Sequence, residues 1–341
     1  MRSPRFALRL VAAVLVGLPF AASLSPALLG AAAAPTKVRV LIIDGQNNHA
    51  WRVNTPLLAK ILTDTGRFTV DISTTPPARP APPRAPRNPT PEQLAAQEAA
   101  VLQAEADAKI HDTKAPALWA AWRPRFSNYD VVLSNYNGED WPEEVRSAFV
   151  ACVRGGGGFV SYHAANNAFP NWPEYNAMIG LGGWGGRTEM SGPYLRLRAN
   201  GWFRDTTTAG PGGCHGPQHE FIIEARQPDH PILAGRPARW RNAKDELYHG
   251  LRGPAENVTV LASAYSPETK EQEPMLMVIP FGKGRVFHTT LGHAADAING
   301  LSFQVTLQRG TEWAATGKVT LPAPPAGTLT EDRPALRVVA P

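Results

Sequence analysis

The chain has 341 residues, 43% of them hydrophobic, with 34 Lys plus Arg against 29 Asp plus Glu and a formal net charge of +5; this is enough for one large α/β domain with a substantial core. Three of the arginines, Arg2, Arg5 and Arg9, fall in a first segment, residues 1–34, that holds no acidic residue, so the rest carries +5 − 3 = +2 and lacks the Lys/Arg run of a nucleic-acid or polyanion surface. The two cysteines, Cys152 and Cys214, are too few for a disulfide framework.

Residues 1–34 read as a secretory signal peptide, with the arginines ahead of an apolar run from Leu10 to Phe20 and a small-residue tail from Ala31 to Ala34, cleaved near Ala33 or Ala34. A membrane anchor would need about 20 unbroken apolar residues, and Pro19, Ser23, Ser25 and Pro26 interrupt this segment. The expected location is periplasmic or secreted, with no stable membrane insertion after cleavage.

Val38 to Gly45 is a continuous apolar run ending in an acid and a glycine, the pattern of a central parallel strand. Gln46, Asn47, Asn48, His49 and Trp51 are expected on the loop at its carboxyl end. Pro56 to Thr65 has helical spacing and Phe68 to Ser73 reads as a strand, giving a βαβ start. An insertion is expected over residues 75–125: eight prolines between Thr75 and Pro91 exclude a helix or central strand there. Glu92 to Ile110 then reads as a peripheral helix, and Trp119, Trp122 and Phe126 close the insertion. Tyr129 to Tyr136 returns to the sheet, and Pro142 to Arg154 is an amphipathic helix with Glu143 and Glu144 at its favourable N-terminal end.

The stretch Gly155 to Arg187 is the most informative. Four glycines end the helix, and Phe159 to Tyr162 reads as a short buried strand delivering His163 to its carboxyl end, where open α/β sheets bind ligands. Asn166 offers an amide, Trp172, Trp184 and Trp51 offer flat faces, and Arg187 offers a cation to orient a ligand; these form the expected substrate-binding set. Further strands are read at Tyr194 to Arg198, Phe221 to Ile223, Val258 to Ala264, Met275 to Ile279 and Gly284 to Thr290, with a closing helix from Leu301 to Ala315. One domain over residues 35–325, followed by a tail at 326–341, contains a mainly parallel sheet with an antiparallel extension.

Several histidines fall on loops, among them His49, His163, His215, His219 and His293. With Glu246 they make a mixed His/carboxylate set suited to Zn²⁺, Mn²⁺ or Fe²⁺. His163, Glu246 and His219 are the expected acid/base groups. Blander roles compete: His163 bonding only a loop carbonyl, Glu246 pairing with Lys244 or an arginine, His288 serving as a core histidine and His230 as a connection residue. Cys214 beside His215 is a weaker nucleophile candidate, since sequence neighbours seldom align as nucleophile and base. Cys152 reads as core. The glycines around Trp184 lack the Lys-Ser/Thr of a phosphate loop, so no nucleotide is expected.

Taken together, GGGGFVSYHAA, WPEYNAMIGLGGWGGR, HGPQHEF, DHPI, KDELY and GKGRVFHTTLGH resemble the trehalose-utilisation (ThuA-like) proteins over about residues 37 to 320. The resemblance implies the fold of class I glutamine amidotransferases, a flavodoxin-like three-layer α/β sandwich with a mainly parallel central sheet. It also implies sugar or oxidised-sugar metabolism, sometimes with a bound divalent metal. In the amidotransferase relatives a cysteine nucleophile stands on the sharp strand-to-helix turn; His163 holds that place here, so amide transfer is not implied. The expectation is an exported enzyme, a hydrolase or lyase/isomerase acting on a small-molecule carbohydrate. The alternative is a non-catalytic sugar-binding module on the same fold.

Overall fold

The computed structural model describes residues 36–340, together with Met1, Ala7 and Ala12. Those three apart, the segment read as a signal peptide lies outside the described residues, and no helix among the described residues is long and apolar enough to cross a membrane. In chain order the elements are β1 (Val38–Asp44), α1 (Trp51–Thr63), β2 (Phe68–Thr74), α2 (Pro91–Ala121), β3 (Val131–Ser134), α3 (Glu143–Arg154), β4 (Gly158–Tyr162), α4 (Pro173–Ile179), β5 (Tyr194–Arg198), β6 (Gly201–Asp205), β7 (Cys214–His215), β8 (Ile222–Ala225), β9 (Arg239–Arg241), β10 (Tyr248–His249), β11 (Thr259–Ser266), β12 (Glu271–Phe281), β13 (Gly284–Thr289), α5 (Ala295–Ile298) and α6 (Leu301–Thr316).

Nine strands form one sheet in the order β2-β1-β3-β4-β13-β12-β11-β8-β9. The ladders from β2 to β13 are parallel, and those from β13 to β9 are antiparallel. Following the alternation through, only β8 and β12 of the nine run against the rest, so the sheet is mixed but mostly parallel in direction. Apolar side chains leave both faces, as a doubly covered sheet requires. Val38, Val40 and Ile42 of β1 pack with Leu58, Ile61, Phe303 and Leu307 of α1 and α6. Leu41 and Ile43 belong to a second cluster with Phe149 and Val153 of α3 and Met178 and Ile179 of α4.

Glycine is needed where β4 meets α6: a Cβ on Gly158 would lie 2.6 Å from the Ala314 carbonyl carbon and oxygen. That close approach fixes where the strand starts, and hence where His163 ends it.

Several boundaries differ from expectation. Helix α1 begins at Trp51 rather than Pro56, because proline this near an N-terminus forfeits only one backbone bond. Trp51 therefore sits in the first helical turn, not on a loop. Helix α2 runs on to Ala121, through Pro116, and starts with a capping box in which Thr90 and Gln93 bond each other's backbone. Of its residues only Ala108 is buried, and the proline arm is pinned to it by Arg79 on Asp112 at 2.9 Å and by Gln97 on the Pro83 carbonyl at 2.6 Å. The residues after 325, expected as a tail, pack on the body: Leu329 is buried, and the Arg337 amide N–H donates to the Asn299 carbonyl at 2.8 Å.

Candidate metal and substrate site

The chain leaves β1 toward β2 on one side and returns to β3 on the other, which opens a crevice at the carboxyl ends of β1 and β3. His49 follows β1, Asn137 follows β3, His163 follows β4 and His293 follows β13. A two-stranded ribbon, β7 with β10, closes the crevice from the far side and sets Tyr248 opposite His215. His163 has a φ of 45°, a left-handed conformation unusual for a side-chain-bearing residue. It turns the chain at the strand end and leaves the imidazole buried at 1% exposure. Backbone outliers of this kind cluster at active sites and ligand clamps.

Glu246 is the centre. Four imidazole Nε2 atoms approach its carboxylate: His293 at 3.1 Å, His163 at 3.6 Å, His215 at 3.6 Å and His49 at 3.9 Å. In three of them the other ring nitrogen faces an oxygen that can only accept. His163 Nδ1 donates to the Thr290 carbonyl at 2.7 Å, His215 Nδ1 to the Gly216 carbonyl at 2.8 Å, and His49 Nδ1 to Asn47 Oδ1 at 3.0 Å. In the neutral ring this leaves each Nε2 with its lone pair toward the carboxylate. Lone pairs aimed at an anion repel unless positive charge lies between them.

The buried Glu246 Oε2 has no hydrogen-bond partner. One ligand atom from each of His49, Glu246 and His293 lies within 4.8 Å of the others. Donors about 2.1 Å from a shared tetrahedral or octahedral ion sit roughly 3.0–3.4 Å apart, so the spacing suits a divalent cation after small adjustment.

Protonation follows the same pattern. Burial pushes the His163 pKa down to about 4, only partly offset by Glu246, and burial also lowers His293. Burial works to raise Glu246, and contact with the His163, His49 and His293 rings in an N–H-donating or cationic form outweighs it and lowers the carboxyl; a cation between neutral rings and the carboxylate acts in the same direction. The lowering of His163 and His293 favours the neutral imidazole, the state a metal ligand needs. Tyr248, raised well above its usual value by burial and then by Glu246, stays a phenol. Its hydroxyl is 3.0 Å from His163 Nε2, and since Nδ1 holds the ring proton, the phenol donates.

Asp245 ties the ligand-bearing segments together. Its carboxylate accepts the backbone N–H groups of Gly292 at 2.8 Å, Glu246 at 2.9 Å and His293 at 3.0 Å. Its backbone pairs with that of His219, which docks the loop carrying His215. The side-chain amide of Gln218 on that loop meets His293 Nδ1 at 3.0 Å; with the amide nitrogen there the neutral ring carries its proton on Nε2, 3.1 Å from Glu246, and with the amide oxygen turned to Nδ1 the Nε2 lone pair is free for an ion. Above these groups lies a cavity of about 330 Å³, lined by Trp184, Tyr248, Asn48, Asn137 and Asn167.

The sequence profile of the ThuA family, described as trehalose utilisation, matches residues 84–314, about two thirds of the chain. A ThuA-like protein from Parabacteroides merdae ATCC 43184 is 38% identical, with a TM-score of 0.74, over 89% of this chain and 98% of that one. This chain belongs to the ThuA family. A ThuA-like protein from Bacteroides uniformis ATCC 8492, at 15% identity and a TM-score of 0.50 over 85% of this chain and 96% of that one, shares the fold. No curated protein sequence matches the chain.

Within this ThuA-family chain, His49, His163, His215, His293, Glu246 and Trp184 converge on the crevice. His219 does not: its Nδ1 donates to the Pro217 carbonyl at 2.8 Å and its ring packs on Phe221, outside the cavity lining. Arg187 is buried, with its guanidinium spent on the carbonyls of Asn167, Ala168 and Gly183 and on Asn176 Oδ1. It staples the loop and reaches no ligand. Trp172 is 5% exposed in an aromatic cluster with Trp141, Phe149 and Phe169. Asn166 is buried and donates to Nε2 of the core histidine His288 at 3.1 Å. Trp51 lies beneath the Arg52 guanidinium, 4.2 Å away, and does not line the cavity. Cys214 pairs across the ribbon with His249, on the opposite side from Tyr248 and His215. Tyr248 and Asp245 are additions to the expected set. Their signal was the KDELY motif, in which Asp245 directly precedes Glu246 and Tyr248 follows Glu246 by two residues.

Proposed function

We propose that this ThuA-family protein is an exported carbohydrate-processing enzyme, a hydrolase or lyase/isomerase acting on a sugar or oxidised sugar with the assistance of a divalent metal. The observation that carries the reading is the convergence of imidazole Nε2 atoms on the buried Glu246 carboxylate, whose Oε2 has no hydrogen-bond partner, inside a ligand-sized crevice. His49, Glu246 and His293 would hold the ion, with His215 at the rim. When bound, the ion supplies Lewis-acid polarisation of a sugar carbonyl or hydroxyl. His163 and Tyr248 do the proton work. Tyr248 presents its oxygen near the substrate and keeps its proton, since burial raises the phenol and lowers the imidazole; His163 Nε2 accepts the hydroxyl hydrogen bond and positions the phenol as the proton donor of the pair. Glu246 stays ionised and orients the imidazoles. Export rests on the arginine-led apolar segment at residues 1–34. The strand order β2-β1-β3-β4-β13 supports the flavodoxin-like, amidotransferase-like reading of the sheet.

Turnover is the test. The metal-loaded protein should convert at least one member of a panel of disaccharides and their keto derivatives, monitored by chromatography. Saturable binding without product across the panel would favour the sugar-binding module instead.

A further inference from the structure

Helix α2 carries small and apolar residues on two opposite faces, and only one of them is used within the chain. Its residues that are not exposed, among them Gln97, Val101, Ala104, Ala108, His111 and Ala115, recur every three or four positions and so share one face. That face meets the proline arm, where His111 Nε2 donates to the Pro77 carbonyl at 3.0 Å and Gln97 to the Pro83 carbonyl at 2.6 Å. On the opposite side of the helix Ala95, Ala99, Leu102, Ala106, Ile110, Thr113 and Ala117 are all exposed, Leu102 at 68% and Ile110 at 54%. Apolar surface left bare in this way marks interaction sites.

The bare stripe has a period and a symmetry. Ala95, Ala106 and Ala117 are spaced at eleven residues, as are Ala99 with Ile110 and Leu102 with Thr113. An eleven-residue repeat corresponds to about 3.67 residues per turn, so the stripe stays within about 40° of one line for about 33 Å. Around Ala106 it also reads alike in both directions: Leu102 mirrors Ile110, Ala99 mirrors Thr113 and Ala95 mirrors Ala117. A two-fold interface between antiparallel copies of one helix requires this, because each position then meets its mirror on the other copy. Leu102 would lie level with the partner's Ile110, while alanines elsewhere let the two backbones approach closely. The flanking charges agree with that pairing. On one flank Lys109 comes nearest the partner's Glu105, and on the other Gln103 comes nearest the partner's Asp107. The acid that the partner's Glu98 would approach is Asp112, whose charge Arg79 already meets at 2.9 Å.

We propose that α2 is a dimerisation helix through which two copies of this chain associate antiparallel about Ala106, away from the crevices, none of whose lining residues lies on α2. Sedimentation velocity at tens of micromolar, on protein expressed from its full sequence, tests this. The mass of two chains is expected. It should fall to that of one chain in Leu102→Asp/Ile110→Asp with the circular dichroism unchanged, and stay at two in Leu94→Asp/Leu118→Asp, whose exposed apolar residues lie off the stripe. In a Cys214→Ser background, oxidised glutathione should cross-link two copies of Ala106→Cys, because the two-fold axis brings that position onto itself. Ala117→Cys should not be cross-linked, since that position would lie about 33 Å from its own copy. A wild-type protein with the mass of one chain, a Leu102→Asp/Ile110→Asp variant that stays dimeric, or cross-linking at Ala117 as complete as at Ala106 would overturn the proposal.

Discussion

Glu246 is a buried carboxylate that meets imidazoles where an arginine or lysine would be usual. A structural carboxylate at that depth is ordinarily satisfied by hydrogen bonds, as Asp245 next to it is by three backbone N–H groups. The contrast between neighbours separates a residue that builds the site from one that works in it. Tyr248 lies between the two kinds, and its hydroxyl tests the proton route. Tyr248→Phe should lower turnover on a converted sugar by about a hundredfold or more while leaving metal content unchanged, checked by steady-state kinetics and elemental analysis of one preparation. Unchanged turnover would remove the phenol from the reaction. Loop position made His49, His163, His215, His293 and Glu246 legible in the sequence. It could not tell Trp184, which faces the crevice, from Trp172, which faces the core, because both are aromatics beside loop-forming residues and only tertiary packing decides their direction. Arg187 misled for a related reason: a cation near a binding loop is as useful for holding carbonyls as for holding a ligand.

Strand ends do the positioning, and they were the most readable part of the chain. The runs of β1, β3, β4 and β13 are short, mostly apolar and followed by polar residues, which is what strands buried on both faces look like. The ribbon of β7 and β10 was not readable, since two-residue strands carry no periodicity, and so the facing of Tyr248 on His215 was hidden. Within β13, His288 is a buried core histidine, as its apolar setting suggested. Its Nδ1 donates to the Ile179 carbonyl at 2.8 Å and its Nε2 accepts from Asn166, which ties β13 to the end of α4 and to the turn after β4. Burial lowers its pKa to about 4 from 6.5. The folded form therefore binds fewer protons than the unfolded chain, and the stability held above pH 6.5 is lost progressively as pH falls toward 4, by at most ~3 kcal/mol. Urea midpoints measured between pH 7 and 4 should fall less steeply for His288→Gln than for the wild type, even though the variant is less stable at pH 7. Parallel slopes would show that His288 does not contribute to acid sensitivity.

At the scale of the whole molecule, a sheet covered on both faces holds four strand ends in fixed register, and the ligand-bearing loops hang from that frame. The proline arm and α2 join the body through Trp122 and Phe126 and through Gln46 on the Pro76 carbonyl and the Arg79 amide on Glu139, and none of their residues lines the crevice. Composition foretold their peripheral character, but not the full length of the helix, whose capping box and strong helix formers carry it past the apolar anchors. The packing of the last residues was not foretold, because a few apolar positions among prolines carry no pattern. The central claim, that this frame gathers His49, Glu246 and His293 around a divalent ion, is tested most directly by elemental analysis of the full-length protein purified without chelating resin, beside Glu246→Gln with its fold checked by circular dichroism. The account predicts about one divalent ion per chain in the wild type and a large loss in the folded variant. No stoichiometric metal in the wild type, or equal metal in both, would contradict it.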